Sequence, residues 1–270
     1  MRKTVFAEGQ VYHLYNRGTD KRVVFLDDYD RYRFIHDLQY MNSSESVFNA
    51  GYSFVHNFQE YTDSAMAPRI GKRIGEKLVD ILAFVLMPNH YHVLVTQRVE
   101  GGITSFMQKL GTAYTMYFNK RYQRTGVLFQ GPFKSVIIKT QNHFDGIPYY
   151  ILANPLKLTE PFRTVDQDIA FLRSYKWSSF SDYAGTPNFP SLLNRAILTD
   201  FFDQEGGFLA GMSKYLKNRK ESLSRRDLDR RSRLDRLKQE KYEGNYTCGG
   251  GGDSVVSDYQ RGLQAVAAGL

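Results

Sequence analysis

The sequence has only one cysteine, Cys248, among its 270 residues. A lone cysteine cannot form a disulfide within the chain, and it cannot supply a zinc site built from several thiolates. Any metal ion must therefore be held by histidine, asparagine, glutamine or carboxylate side chains. The chain has six histidines, and they are among these possible ligands.

The sequence also lacks a long apolar run. No stretch approaches the roughly 20 apolar residues that a membrane-spanning helix needs, and residues 1–8 contain no apolar segment of signal-peptide length. Hydrophobic residues nevertheless make up 42% of the chain, which is enough for a packed core. We therefore expect a soluble, non-secreted, cytoplasmic protein without a membrane partner.

Positive charge is abundant and unevenly placed. The formal net charge is +8 and the sequence pI is about 9.4, which favours a polyanionic partner. Residues 213–241 contain 12 Lys and Arg against 5 Asp and Glu, so most of the excess lies near the C-terminus. Such a run forms either a solvated helix or a nucleic-acid contact, and both interpretations stay open.

Alternating and helical hydrophobic patterns predict the order strand, helix, strand, strand, helix, strand. This is the order of a ferredoxin-like α+β sandwich, an antiparallel sheet with helices on one face and the other face free for a ligand. A helical extension follows at the C-terminus. The predicted strands and helices lie at residues 10–17, 27–41, 79–86, 90–95, 103–121 and 133–139.

Changes in composition divide the chain into a domain and a tail. Residues 1–198 are predicted to form the α+β domain, interrupted by a polar insertion at 42–77. Residues 199–270 form a basic tail, predicted to be partly disordered, with a flexible glycine-rich linker at 249–252.

Two histidines occupy one predicted strand. His90 and His92 follow a Pro-Asn pair that predicts a hairpin turn. Residues two apart on a strand share a face, with their Cα atoms roughly 7 Å apart. Both imidazoles could therefore bind one metal ion while Tyr91 points to the opposite face. Taken alone this signal is weak, because six histidines produce pairs by chance.

The surrounding motifs resemble a known family. Pro88-Asn89-His90-Tyr91-His92-Val93-Leu94 resembles the histidine-hydrophobe-histidine motif of the HUH nucleases, and the chain is most similar to the single-strand DNA tyrosine transposases and their REP-associated relatives. The resemblance covers roughly residues 5–185 without the insertion. Its other motifs are at 11–18, 117–119, 126–131, 150–155 and 177–180.

The resemblance implies a specific chemistry. Tyr150 would be the nucleophile that nicks and joins single-stranded DNA at hairpin-marked sites, leaving a 5′-phosphotyrosine and a free 3′-OH without ATP. His90, His92 and Asn154 would hold a divalent metal, Mg or Mn. Tyr150 and Asn154 stand at i and i+4 of a predicted helical segment at 145–154, and so on one helix face.

Three other tyrosines compete for the role of Tyr150. Tyr149 is adjacent, but on a helix it would point about 100° away. Tyr114 and Tyr117 fall on the apolar face of a predicted helix, where core packing is expected.

Basic side chains are predicted to contact the DNA backbone. Arg17, at the end of the first strand, and Lys134, on the last, are candidate phosphate contacts. The family commonly has a basic residue where this chain has Pro132, so that contact is not expected here. His13 lies in a family-like motif and is predicted to make a structural hydrogen bond.

Other functions and assembly states remain open from the sequence. A non-catalytic nucleic-acid-binding module would use the free sheet face and basic tail without a metal. A replication initiator or relaxase with the same chemistry would differ only in its target. The chain could act as a monomer, or as a homodimer in which the tyrosine helix of one subunit serves the histidines of the other.

Overall fold

The computed structural model describes residues 6–45, 75–160 and 163–244. Within these ranges a four-stranded antiparallel sheet has the order β2-β3-β1-β4. Helix α1 (Asp28–Tyr40) follows β1, and helix α2 (Gly102–Arg121) follows β3. The order βαββαβ confirms the predicted ferredoxin-like α+β class. The strands are β1 (Val11–Arg17), β2 (Val79–Met87), β3 (His90–Gln97) and β4 (Lys134–Ile137).

One face of the sheet carries the main hydrophobic core. Helices α1 and α2 cover this face, and alternate residues of β1 and β3 point into it. The Asp27 side chain caps α1 by accepting a hydrogen bond from the Asp30 N–H, as expected of an acidic residue at a helix start. The sheet contributes Tyr12, Leu14, Tyr91, Val93 and Val95, and the helices contribute Phe34, Phe106, Leu110 and Tyr114.

Helices also cover part of the second face, which the sequence predicted to be free. Leu82, Val85 and Leu94 are fully buried there in a second hydrophobic cluster. Helices α3 (Gln141–Leu152), α6 (Ala196–Gln204) and the start of α7 (Phe208–Gly244) supply many of the other residues of that cluster. Two short helices lie between them, α4 (Val165–Ser174) and α5 (Phe180–Tyr183). The open part of the second face is therefore the part beside β1 and β4.

The first compact unit extends further along the chain than the predicted domain boundary at residue 198. It ends at Lys217, and a second unit begins at Asn218. The extension occurs because Phe201, Phe202, Phe208, Met212 and Leu216 are buried in the second cluster. A boundary drawn at residue 198 from the change in composition misses these apolar residues.

Helix α7 is the predicted helical extension. It is 37 residues long and polar on average. No helix in the described parts of the chain is both long and apolar enough to cross a membrane. Most of the predicted insertion and the whole glycine-rich linker lie outside the described residues.

Candidate functional site

The β2–β3 hairpin places the two histidines. Met87 pairs with His90 across the turn, and the Asn89 carbonyl accepts a 2.9 Å hydrogen bond from the Gly18 N–H. His90 and His92 lie on the second face with ring centroids 5.1 Å apart. Tyr91 between them is 1% exposed and lies in the main core, as strand alternation requires.

A third histidine joins this pair. Nε2 of His13 lies 2.8 Å from Nδ1 of His92, so the predicted structural hydrogen bond of His13 has a metal-ligand candidate as its partner. Nε2 of His92 is buried, and among the described residues it has no hydrogen-bond partner. Nδ1 of His90 lies 2.6 Å from Oδ1 of Asn89.

The environment keeps all three imidazoles neutral at pH 7. Burial lowers the pKa of His92 to about 2, with the neighbouring His13 as the next cause. Burial lowers the pKa of His90 to about 4, and the positive charges of Arg17 and Lys157 act in the same direction. Burial also lowers the pKa of His13 to about 4. A neutral imidazole is the form that binds a metal ion.

Helix α3 brings Tyr150 to these histidines. The helix begins at Gln141, earlier than predicted, because the Thr140 side chain caps it by accepting from the His143 N–H. Tyr150 is 39% exposed, and its ring centroid lies 6.0 Å from that of His92 and 6.2 Å from that of His13. The nucleophile candidate therefore lies beside the histidines of its own chain.

The competing tyrosines are placed in hydrophobic clusters. Tyr149 is 4% exposed in the second cluster, and burial raises its pKa to about 12. Tyr114 donates a 2.6 Å hydrogen bond to the Val24 carbonyl inside the main core. Tyr117 donates to Asp30 between α1 and α2. Among these four tyrosines, only Tyr150 lines the cleft beside the histidines.

The sequence predicted that Asn154 would lie on the same helix as Tyr150, but in the structure Asn154 does not continue helix α3. The α-helix ends at Leu152 and Asn154 begins a 3₁₀ turn (Asn154–Leu158), because a residue before proline is disfavoured in the helical conformation. Asn154 is 1% exposed. Its Nδ2 donates to the Tyr150 carbonyl at 2.9 Å, and its Oδ1 accepts from Lys157 Nζ at 2.7 Å.

The histidines and Tyr150 line a cleft of about 380 Å³. Arg17 and Lys134, the predicted phosphate contacts, both line it, while Pro132 lines a separate hollow beside α2. Among the described residues that line the cleft there is no carboxylate, so it suits an anionic ligand. The lining residues are His13, Tyr15, Asn16, Arg17, His90, His92, Gln130, Lys134, Val136, His143, Tyr150 and Lys157.

Two basic cleft residues were not found from the sequence. Lys157 Nζ lies 5.3 Å from the Tyr150 ring centroid, and His143 lines the cleft from the first turn of α3. His143 stands seven residues before Tyr150 on α3, which is about two helical turns. That spacing could have identified His143, whereas Lys157 lies beyond the end of the helix.

The donor set is compatible with a divalent metal. His90 and His92 share a face, both are neutral, and Nε2 of His92 has no hydrogen-bond partner among the described residues. Among the described residues no group of three or more His, Cys, Asp and Glu side chains could hold a metal ion. Among the described residues a third protein ligand would be an amide, because amide oxygens also bind divalent ions. Asn16 and Gln130 line the cleft, whereas the predicted ligand Asn154 is buried beside it and does not line it.

A ferredoxin-like sheet with a His-Tyr-His strand facing a helical tyrosine has the form expected of a tyrosine nuclease of the HUH class. Residues 55–154, which include both histidines and Tyr150, match the model of the family described as "Transposase IS200 like". Over this stretch the chain is similar to the IS200-like transposases, as its motifs implied.

Two solved structures are similar to the chain at low identity. The REP-associated tyrosine transposase bound to a REP hairpin is 14% identical over 70% of this chain and 88% of its own, with a TM-score of 0.42. A candidate transposase from Deinococcus radiodurans R1 is 13% identical over 56% of this chain and 95% of its own, with a TM-score of 0.24. A comparison with curated proteins found no match.

Proposed function

We propose that this cleft nicks and rejoins single-stranded DNA through a covalent bond to Tyr150. The observation that carries the proposal is the position of Tyr150, exposed beside His92 in a cleft whose lining cations are Arg17, Lys134 and Lys157. Cleavage of a phosphodiester through a protein side chain needs a positioned oxygen nucleophile and neutralisation of the charge that develops on the phosphate. Both are present on one side of the sheet.

The reaction exchanges one phosphodiester for another. The Tyr150 Oη–phosphorus bond forms as the bond between phosphorus and the 3′-oxygen breaks. The phenol proton passes to water, and the departing 3′-oxygen takes a proton from water. A 3′-OH that attacks the phosphotyrosine reverses the step and rejoins a strand. Because the energy of the phosphodiester is kept in the phosphotyrosine bond, no ATP is consumed.

The cleft cations hold the reacting phosphate. Arg17 stands at the end of β1, opposite His90, and Lys134 stands opposite Tyr15 on β4. Lys157 reaches the Tyr150 ring from the far side of the cleft. Cations on three elements around the tyrosine would orient the phosphate for in-line attack and offset its charge.

His90, His92 and Asn154 are the residues that would hold a divalent ion, Mg or Mn. Oδ1 of Asn154 accepts from Lys157 and retains a second lone pair, since an amide oxygen carries two. When bound, the ion supplies Lewis-acid polarisation of the phosphate oxygens and orients the leaving group.

The substrate is proposed to be single-stranded DNA marked by a hairpin, as the family resemblance implies. The histidines and the tyrosine come from one chain, and the ring centroid of Tyr150 lies 6.0 Å from that of His92. We therefore propose that each chain acts with its own tyrosine and that a monomer is sufficient for strand cleavage.

The test is a covalent-adduct assay with an end-labelled hairpin-bearing single strand and Mn²⁺. The wild-type chain should form an adduct that survives denaturation. Tyr150→Phe should lower adduct formation by about 10⁴-fold or more, because the nucleophile is removed. Tyr149→Phe is the matched control and should keep wild-type yield, because the Tyr149 hydroxyl is buried without a partner.

An adduct in Tyr150→Phe, or its loss in a folded Tyr149→Phe, would overturn the assignment. DNA binding that persists without any adduct in the wild-type chain would favour a non-catalytic binding module.

A further inference from the structure

The structure offers an explanation for the buried contact between His13 and His92. His13 lies on β1 two residues from Tyr15, the residue opposite His92, since Tyr15 pairs with His92 and His13 pairs with Leu94. Diagonal neighbours of this kind are within reach of long side chains. His13 is 6% exposed, and its ring stacks against those of His92 and Tyr15 at 5.0 and 5.1 Å. The rings around His13 thus restrict its orientation.

One hydrogen joins the two imidazoles, and its position decides what His92 can do. If His92 donates from Nδ1 to Nε2 of His13, then Nε2 of His92 carries a lone pair. If His13 donates instead, Nε2 of His92 carries the proton and cannot bind a metal ion. The second arrangement also leaves a buried N–H without an acceptor, because that atom has no partner. An unpaired buried donor and an unpaired buried acceptor both cost free energy, but only the lone pair of the first arrangement can be satisfied by a metal ion.

Nδ1 of His90 also has a hydrogen-bond partner, and here the direction of the hydrogen bond can be assigned. Its Nδ1 faces Oδ1 of Asn89 at 2.6 Å, while Nδ2 of the same amide donates to the Lys21 carbonyl at 3.0 Å. That second bond orients the amide, so Oδ1 must accept and His90 must donate from Nδ1. His90 therefore presents a free Nε2. In both histidines Nδ1 is held by a neighbour and Nε2 is left for a ligand.

We propose that His13 is a positioning residue that accepts a hydrogen bond from Nδ1 of His92 and so presents Nε2 of His92 to the divalent metal. Partners of this kind fix the tautomer and ring orientation of a metal-bound histidine. The inference rests on the proposed function in one respect, that His92 is a metal ligand. The tautomer itself can be measured without metal.

The first experiment reads the tautomer in the metal-free full-length chain. Histidine labelled with ¹⁵N reports which ring nitrogen carries the proton, and His92→Gln identifies the His92 signals. The expected result is His92 protonated at Nδ1 in the wild type, with Nε2 unprotonated. A proton on Nε2 of His92 in the wild type would overturn the inference whether or not the metal proposal holds.

The second experiment measures Mn²⁺ affinity by calorimetry and electron paramagnetic resonance. In His13→Gln the longer amide can place an oxygen near the position of Nε2, so affinity should stay within about threefold of wild type. In His13→Asn the amide is too short to reach His92, so affinity should fall by about 10- to 100-fold, the usual effect of losing such a partner. Circular dichroism and thermal unfolding check that both variants are folded.

The two experiments separate the inference from the proposed function. If the wild type binds Mn²⁺ through His90 and His92, and folded His13→Asn binds it equally well, then His13 has no positioning role. If wild-type binding is absent or unchanged by His90→Ala plus His92→Ala, the metal site of the proposed function fails, and the NMR result alone decides the tautomer. If His13→Asn does not fold, the wild-type tautomer and the binding of His13→Gln remain decisive.

Discussion

The side chains on the two faces of β3 lie in different surroundings. On the first face Tyr91, Val93 and Val95 are buried in one apolar core under α1 and α2. On the second face His90 and His92 line a cationic cleft. Leu94, two residues further along the strand, lies in the second apolar cluster. One strand thus supports a uniform core on one face and two different environments on the other.

The difference separates stability from chemistry. Residues of the first face contribute through burial, which tolerates similar apolar substitutes. The two histidines are nearly as buried, at 9% and 6% exposed, yet burial keeps them neutral and holds their rings in place for a ligand. Their substitution should affect ligand binding more than folding.

Among substitutions on the two faces of β3, the largest expected effect on cleavage is at His90 and His92. Replacing either by alanine should lower Mn²⁺-dependent strand cleavage by about 10³-fold, because one of the proposed metal ligands is lost. Tyr91→Phe, between them on the opposite face, should leave Mn²⁺ affinity unchanged. Titration of Mn²⁺ and gel-based cleavage measure both quantities. Equal losses of Mn²⁺ affinity and strand cleavage in Tyr91→Phe and His92→Ala would mean that the two faces are not functionally distinct.

Removal of metal should reproduce the histidine substitutions in the wild-type chain. A chelator should abolish cleavage, and added Mn²⁺ should restore it to wild type but not to the double histidine variant. Cleavage that persists unchanged in the chelator would show that the second face works without a metal ion.

A smaller effect is expected for the cleft cations. Arg17→Gln or Lys134→Gln should each weaken single-strand binding by about tenfold at low salt and reduce the salt-dependence slope by about one. Lys120→Gln, exposed on α2 away from the cleft, is the control and should change neither value. Fluorescence anisotropy at several salt concentrations gives the slopes. Equal salt-dependence slopes for Lys134→Gln and Lys120→Gln would mean that Lys134 does not contact the DNA phosphates.

The smallest effect on activity is expected in the first-face core. Tyr114→Phe removes a 2.6 Å hydrogen bond to the Val24 carbonyl and should lower the free energy of unfolding by about 1 to 3 kcal/mol. Cleavage well below the melting temperature should remain at the wild-type rate. Denaturant unfolding measures the first quantity, and a cleavage loss without a stability loss would contradict the division between faces.

Strand and helix order could be predicted because hydrophobic periodicity directly reflects burial. The hairpin at Pro88-Asn89, the shared face of His90 and His92, and the opposite face of Tyr91 all follow from alternation along a strand. The adjacent Tyr149 and Tyr150 also separate as helical geometry requires, one into the second cluster and one into the cleft.

Contacts between distant segments could not be predicted in this way. The hydrogen bond between His13 and His92 joins residues 79 positions apart. The local pattern of hydrophobic and polar residues carries no information about such a contact. Lys157 was missed because a lysine just beyond a proline resembles a solvated charge. The hydrogen bonds of Asn154 depend on how the helix ends at Leu152, and helix ends are set by local capping more than by periodicity.

The most direct test of the central claim, that one chain supplies both Tyr150 and its histidine pair, is a mixing experiment. Tyr150→Phe and the His90→Ala plus His92→Ala chain are combined in equal amounts with a labelled strand and Mn²⁺, and any adduct is mapped by peptide mass spectrometry. We predict that the wild type carries its nucleotide on Tyr150 and that the mixture forms no adduct. An adduct on Tyr150 in the mixture, formed by the histidines of the other chain, would contradict the account.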